Sequence, residues 1–122
     1  MGKKVLMVED EKNIILGVRT CLDAVGYTVE VVEDGEEALK AVGRGHPDLI
    51  LLDLLLPKVD GFEVLKILKG DPATSSIPII VLTAKAEEED RQRALDLGAD
   101  NYMTKPFKPQ DLWDRLKHFL PE

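Results

Sequence analysis

The chain has 122 residues, 44% hydrophobic and 32% charged, a balance that suits one globular domain over residues 1–122 and not a disordered segment. Its net charge of −7 argues against a domain that grips nucleic acid with its own surface. No apolar run approaches the roughly 20 residues of a membrane span. Glu9 and Asp10 come too early for a signal peptide, so a cytoplasmic protein with no membrane partner is expected.

In chain order, Val5-Leu6-Met7-Val8 is continuously apolar, as a strand buried on both faces is. Ile14, Ile15, Val18, Cys21, Leu22 and Val25 recur at helical spacing, and Gly26 reads as the stop. Tyr27-Thr28-Val29-Glu30-Val31-Val32 is β-branched and partly polar, the pattern of an edge strand. A short helix is predicted from Glu36 to Val42, ending near Gly43. Leu49-Ile50-Leu51-Leu52 is a second buried strand, and Phe62, Val64, Leu65, Ile67 and Leu68 mark a helix ending at Gly70. A turn-rich loop over 71–78 leads to a third buried strand, Ile79-Ile80-Val81-Leu82. A charged helix follows from Glu87 to Leu97, with Ala94, Leu95 and Leu97 facing inward and Gly98 after it. Asn101-Tyr102-Met103-Thr104 is a shorter strand, and Leu112, Trp113, Leu116, Phe119 and Leu120 define the last helix. The one cysteine, Cys21, excludes an intrachain disulfide and reads as a core or near-core residue. His46 and His118 lie far apart without metal-ligand spacing.

Strand and helix alternate five times. Right-handed crossovers turn that order into a parallel sheet covered on both faces. The expected fold is α/β: a doubly wound, five-stranded parallel sheet of order 2-1-3-4-5, a flavodoxin-like three-layer sandwich.

Ligands of such sheets sit beyond the carboxyl ends of the strands. Glu9 and Asp10 follow the first strand, Asp53 ends the third, Thr83 the fourth, and Lys105 lies just past the fifth. Singly each has a plain explanation: Asp10 and Thr83 as helix caps, Asp53 as a loop start, Glu9 and Lys105 as solvated charges. Together they form one constellation. Clustered carboxylates repel unless a cation lies among them, and a hard divalent ion with oxygen ligands suits them. No glycine-rich phosphate loop is present. The chemistry left is phosphoryl transfer onto a carboxylate, with Asp53, nearest the sheet centre, as nucleophile.

Val8-Glu9-Asp10-Glu11, Leu51-Leu52-Asp53-Leu54-Leu55-Leu56-Pro57, Asp60-Gly61-Phe62-Glu63, Val81-Leu82-Thr83-Ala84 and Thr104-Lys105-Pro106-Phe107 resemble, in order and spacing, the signatures of response-regulator receiver domains. The resemblance implies Mg²⁺ (or Mn²⁺) on Asp10, Asp53 and the Leu55 carbonyl, with Glu9 acting through water. It implies Lys105 and Thr83 on phosphoryl oxygens, a switch through Thr83 and Tyr102, a cis bond before Pro106, and Gly61 in a tight turn. Leu55 and Lys85 stand where the family tunes phosphate lifetime. The implied donor is a sensor histidine kinase or phosphotransfer protein, docking near Asn13, Ile14 and Gly17 and the loop after the fifth strand.

Output in this family is read on the fourth helix, fifth strand and fifth helix. Here that face carries Arg91, Arg93, Asp100, Asn101, Asp111 and Arg115, a pattern similar to the winged-helix transcription-factor class, whose active homodimers are joined there by salt bridges. Arg91 to Asp111 of a second chain is the expected pair; Asn101 stands where that class often has aspartate. Two other readings compete. An aspartate-nucleophile phosphohydrolase would carry an acid where Leu55 stands, and a cap domain for which the chain has no room. A receiver-like binding module would have lost the acceptor or an acid. The expectation is a signalling phosphoacceptor and not an enzyme, free-standing or part of a longer regulator.

Overall fold

The computed structural model describes residues 2–120. Its elements alternate as expected: β1 (Lys4–Val8), α1 (Lys12–Asp23), β2 (Thr28–Val32), α2 (Gly35–Arg44), β3 (Leu49–Leu52), α3 (Gly61–Gly70), β4 (Ile79–Thr83), α4 (Glu88–Asp96), β5 (Asn101–Thr104) and α5 (Pro109–Phe119). The strands form one five-stranded sheet in the order β2-β1-β3-β4-β5, every neighbouring pair parallel.

The continuous apolar runs have a simple cause. Successive strand residues face opposite sides, and both sides are covered. Leu6, Val8, Ile50, Leu52, Ile79 and Val81 pack with α2, α3 and α4. Val5, Met7, Leu49, Leu51, Ile80 and Leu82 pack with Val18 and Leu22 of α1 and Leu112 and Leu116 of α5. β2 is an edge, which is why Glu30 is tolerated there; its carboxylate pairs with Lys4 at 3.3 Å and Arg44 at 3.2 Å.

Local signals set the helix ends, and some differ from the sequence reading. Asp34 accepts a hydrogen bond from the Glu37 amide at 2.8 Å and starts α2 at Gly35, before the expected Glu36. The helix then runs through Gly43 and ends at Arg44. Gly43 is exposed, with nothing within 4 Å of where a Cβ would sit, so it weakens the last turn without breaking it. Val25 lies beyond α1 and is 42% exposed, off the apolar stripe expected of it. Gly26 stops the chain there with φ +82°. Pro109 occupies the first turn of α5, where its missing N–H removes no helical bond.

The sheet register places the site. Val8 pairs with Leu52, Leu52 with Val81, and Thr83 with Thr104. The carboxyl ends of β1, β3, β4 and β5 therefore stop at one edge of the sheet.

Candidate functional site

Backbone ladders continue one step past the strands and fix each functional residue. The Asp53 amide donates to Val8 O at 3.1 Å, the Glu9 amide to Val32 O at 3.0 Å, and the Lys105 amide to Thr83 O at 2.8 Å. Glu9, Asp53 and Thr83 are buried, and Asp10 is exposed at the mouth. One carboxylate oxygen from each of Glu9, Asp10 and Asp53 falls within a 4.8 Å cluster.

Lys105 crosses this cluster. Its Nζ lies 2.8 Å from Glu9 Oε1, 2.9 Å from Glu11 Oε1 and 3.1 Å from Asp53 Oδ2, and its side chain is only 7% exposed. The other Asp53 oxygen, Oδ1, accepts from the Leu55 amide at 3.0 Å. Burial works against the Lys105 charge, but hydrogen bonds to Glu9 and Glu11 and the Asp53 charge outweigh it and hold its pKa above the ordinary lysine value. For Glu9 burial dominates and raises the carboxyl pKa; the Lys105 hydrogen bond opposes it and the Asp53 charge adds to it.

The arrangement discards the plain explanations of Asp10, Thr83 and Lys105. The N-cap of α1 is Glu11 and that of α4 is Glu87, so neither Asp10 nor Thr83 caps a helix. Lys105 is no solvated charge. An excess of carboxylates over ammonium, all oxygen donors, with Asp10 open to solvent, is a donor set that fits a hard divalent cation. An open cleft of about 690 Å³ beside the cluster is lined by Asp10, Leu55, Pro57, Asp60 and Lys85, among others, and leaves room for a reacting group.

Around the cluster, Thr83 Oγ1 accepts from the Lys85 amide at 3.4 Å, a long bond that leaves its own hydrogen to donate. The buried Tyr102 donates its hydroxyl to the Lys85 carbonyl at 2.6 Å, so Thr83, Lys85 and Tyr102 meet in the loop after β4. Burial first, then the Asp90 and Asp53 charges, raise the Tyr102 pKa. The Lys105–Pro106 peptide is cis.

Gly61 differs from expectation. It opens α3, and a Cβ there would lie 2.4 Å from Leu54 Cα and 2.6 Å from Asp53 O. The glycine is needed for close approach to the backbone around Asp53. The left-handed residue of this loop is Lys58, at φ 65°. The sequence assigns Glu11 no role; its contact with Lys105, 94 positions away, emerges only in the fold.

The face built by α4, β5 and α5 is held largely within the chain. Asp100 accepts from Lys69 Nζ and from the Ile79 amide, each at 2.8 Å. Arg115 donates to Asn101 Oδ1 at 2.8 Å and to the Asp111 carbonyl at 3.2 Å. Arg91 lies 3.6 Å from Glu88, and the Asp111 side chain is exposed.

The model of the response regulator receiver domain matches residues 5–117. The chain belongs to this family. Receivers are signalling domains of two-component systems, and phosphorylation on aspartate is general to them. This receiver is 48% identical over 120 residues to the alkaline phosphatase synthesis transcriptional regulatory protein PhoP of Bacillus subtilis, covering 98% of this chain and 49% of that protein. It is 44% identical over 117 residues to the phosphate regulon transcriptional regulatory protein PhoB of Escherichia coli, covering 96% of this chain and 51% of that protein. The chain thus spans about half the length of these curated relatives. Among solved structures, the receiver domain of the Pseudomonas aeruginosa sensor histidine kinase PA1611, with magnesium coordinated in its active-site cleft, superposes with TM-score 0.89 at 33% identity over 100% of both chains. The Mn²⁺-bound response regulator Rcp1 superposes with TM-score 0.87 at 32% identity, over 98% of this chain and 95% of that one.

Proposed function

We propose that this receiver accepts a phosphoryl group on Asp53 from the phosphohistidine of a sensor histidine kinase or phosphotransfer protein. The observation that carries the reading is the buried Lys105 ammonium bonded to both Asp53 and Glu9 beside an oxygen-only cluster. A carboxylate oxygen of Asp53 forms the bond to phosphorus, the P–N bond breaks, and the electron pair leaves on the imidazole nitrogen. Asp10, Asp53 and the Leu55 carbonyl would hold Mg²⁺ or Mn²⁺, with Glu9 acting through water. When bound, the ion neutralises charge on the transferring group. Lys105 would neutralise a second phosphoryl oxygen, and the Thr83 hydroxyl would donate to a third.

The same reading supplies a switch. If Thr83 shifts toward the phosphate, it pulls on the Lys85 backbone, to which Tyr102 is bonded at 2.6 Å. Charge added at Asp53 is thereby felt at β5 and α4, the face through which we propose a second copy docks. Arg91 of one chain would pair with Asp111 of the other. Asp100 is already committed to Lys69, so its role is to brace the face from inside. Output then lies with the dimer, a partner or a further domain. Binding nucleic acid is not a task for this acidic surface, and we place the protein in the cytoplasm. We take residues 1–122 as one receiver domain and a phosphoacceptor, without steady turnover of outside substrates.

The test is chemical. Borohydride reduction converts an aspartyl phosphate to homoserine. After treatment with a phosphorylated histidine kinase, peptide mapping should find homoserine at position 53. Homoserine at another carboxylate, or none after phosphate uptake, would overturn the assignment.

A further inference from the structure

The Lys105 ammonium has three N–H groups to give. Three carboxylates crowd it: Glu11 at 2.9 Å and Asp53 at 3.1 Å accept hydrogen bonds, and Glu9 lies at 2.8 Å as an ion pair. The ammonium is therefore ringed by carboxylates before any phosphoryl group arrives. The three acceptors are held very differently. The Glu9 and Asp53 side chains are 1% and 2% exposed, whereas that of Glu11 is 55% exposed. Glu9 and Asp53 each accept a backbone N–H as well, from Glu11 and Leu55.

Glu11 is also the N-cap residue of α1, at φ −83° and ψ 115°, yet its side chain makes no cap hydrogen bond. A side chain there ordinarily satisfies an amide of its own helix. Its carboxylate instead reaches a lysine 94 positions away.

We propose that Glu11 is a displaceable latch on Lys105. It holds one donor of the ammonium in the unphosphorylated chain and yields it to the incoming phosphoryl group. The proposal rests on the reading of Asp53 and Lys105 given above. For Lys105 to serve a phosphoryl oxygen, one of the crowding carboxylates must make room. Releasing Glu9 would strand a buried anion. Asp53 is the acceptor itself and stays in place. Releasing Glu11 returns an exposed carboxylate to water, at little cost. The phosphoryl charge also repels it. Glu11 is thus a positioning residue that competes with the phosphodonor for one cationic group.

The experiment compares the natural chain, Glu11→Gln and Glu11→Asp at saturating Mg²⁺. It measures beryllofluoride affinity by titration and phosphorylation rate across acetyl phosphate concentrations. Glutamine removes the charge. Aspartate keeps the charge but shortens the arm by one methylene, so it cannot span to Nζ. Both variants should bind beryllofluoride about two- to fivefold more tightly, the range of a part-exposed ion pair. The half-saturating acetyl phosphate concentration should fall by the same factor with the maximal rate unchanged, a split that a merely structural role for Glu11 would not produce. Tightening in Glu11→Gln alone would mean a general field effect and overturn the latch, as would no change in either. Failure of the natural chain to take up beryllofluoride at all would instead remove the site reading beneath it.

Discussion

At the scale of single residues, Lys105 is the group on which the site turns. Among the described residues it is the ammonium that lies against both buried carboxylates, Glu9 and Asp53, so it holds the unphosphorylated site together as well as serving the proposed reaction. Lys105→Met should lower unfolding stability of the metal-free chain at neutral pH by about 3 kcal/mol, because carboxylates are left buried without a counter-charge. The urea midpoint would report this, and an unchanged midpoint would contradict it. The sign with pH follows from the raised pKa. The stabilisation is present in full below the ordinary 10.5 and is lost as pH rises through the folded value. Asp10 plays the opposite part. It is exposed and adds negative charge at the mouth of the cluster. Saturation with Mg²⁺ at a hundred times its dissociation constant should stabilise the chain by about 2.7 kcal/mol. Calorimetry should find most of that gain lost in Asp10→Asn and reversed by EDTA; an equal gain in the variant would place the ion elsewhere. Asp53, Asp10, Thr83 and Lys105 could be singled out in the sequence because each sits at the end of an apolar run. Glu11 could not be given a role, since its partner is far away in the chain.

At the scale of elements, glycine shows what sequence patterns can and cannot say. Gly43 was read as a helix stop, yet α2 continues through it to Arg44. A glycine in a helix and a glycine after one look alike in sequence; the cap at Asp34 and the following Gly45-His46-Pro47 decide the ends. Gly61 was read as a turn residue, whereas its constraint is contact with the backbone of Asp53 and Leu54. Close approach of segments from different elements leaves no local signature. The two positions should therefore respond oppositely to alanine. Gly43→Ala should stabilise by about 1 kcal/mol, as a Cβ there meets nothing within 4 Å. Gly61→Ala should destabilise and slow phosphorylation together, because backbone carrying the acceptor must shift. Paired melts and acetyl phosphate rates check both; similar behaviour of the two variants would refute the distinction. The strands were the most legible elements, since burial on both faces leaves unbroken apolar runs.

At the scale of the whole molecule, strand order was legible because five alternating units permit few doubly wound sheets, and that order gathers the strand ends. The outer face was less legible. Asp100, expected on a dimer surface, is bonded to Lys69 and the Ile79 amide within the chain, a contact set by where the 71–78 loop returns. The dimer proposal accordingly leans on Arg91 and Asp111. With Mg²⁺ and beryllofluoride, sedimentation should show a dimer that Arg91→Glu returns to monomer, and an unaltered dimer would exclude that pair. The central claim is that Asp53 takes a phosphoryl group in a metal-dependent step. Intact mass after treatment with acetyl phosphate and Mg²⁺ tests it most directly. The predicted result is a gain of about 80 Da, one phosphoryl group, absent in Asp53→Asn and in EDTA. Persistence of the adduct in Asp53→Asn or in EDTA would contradict it.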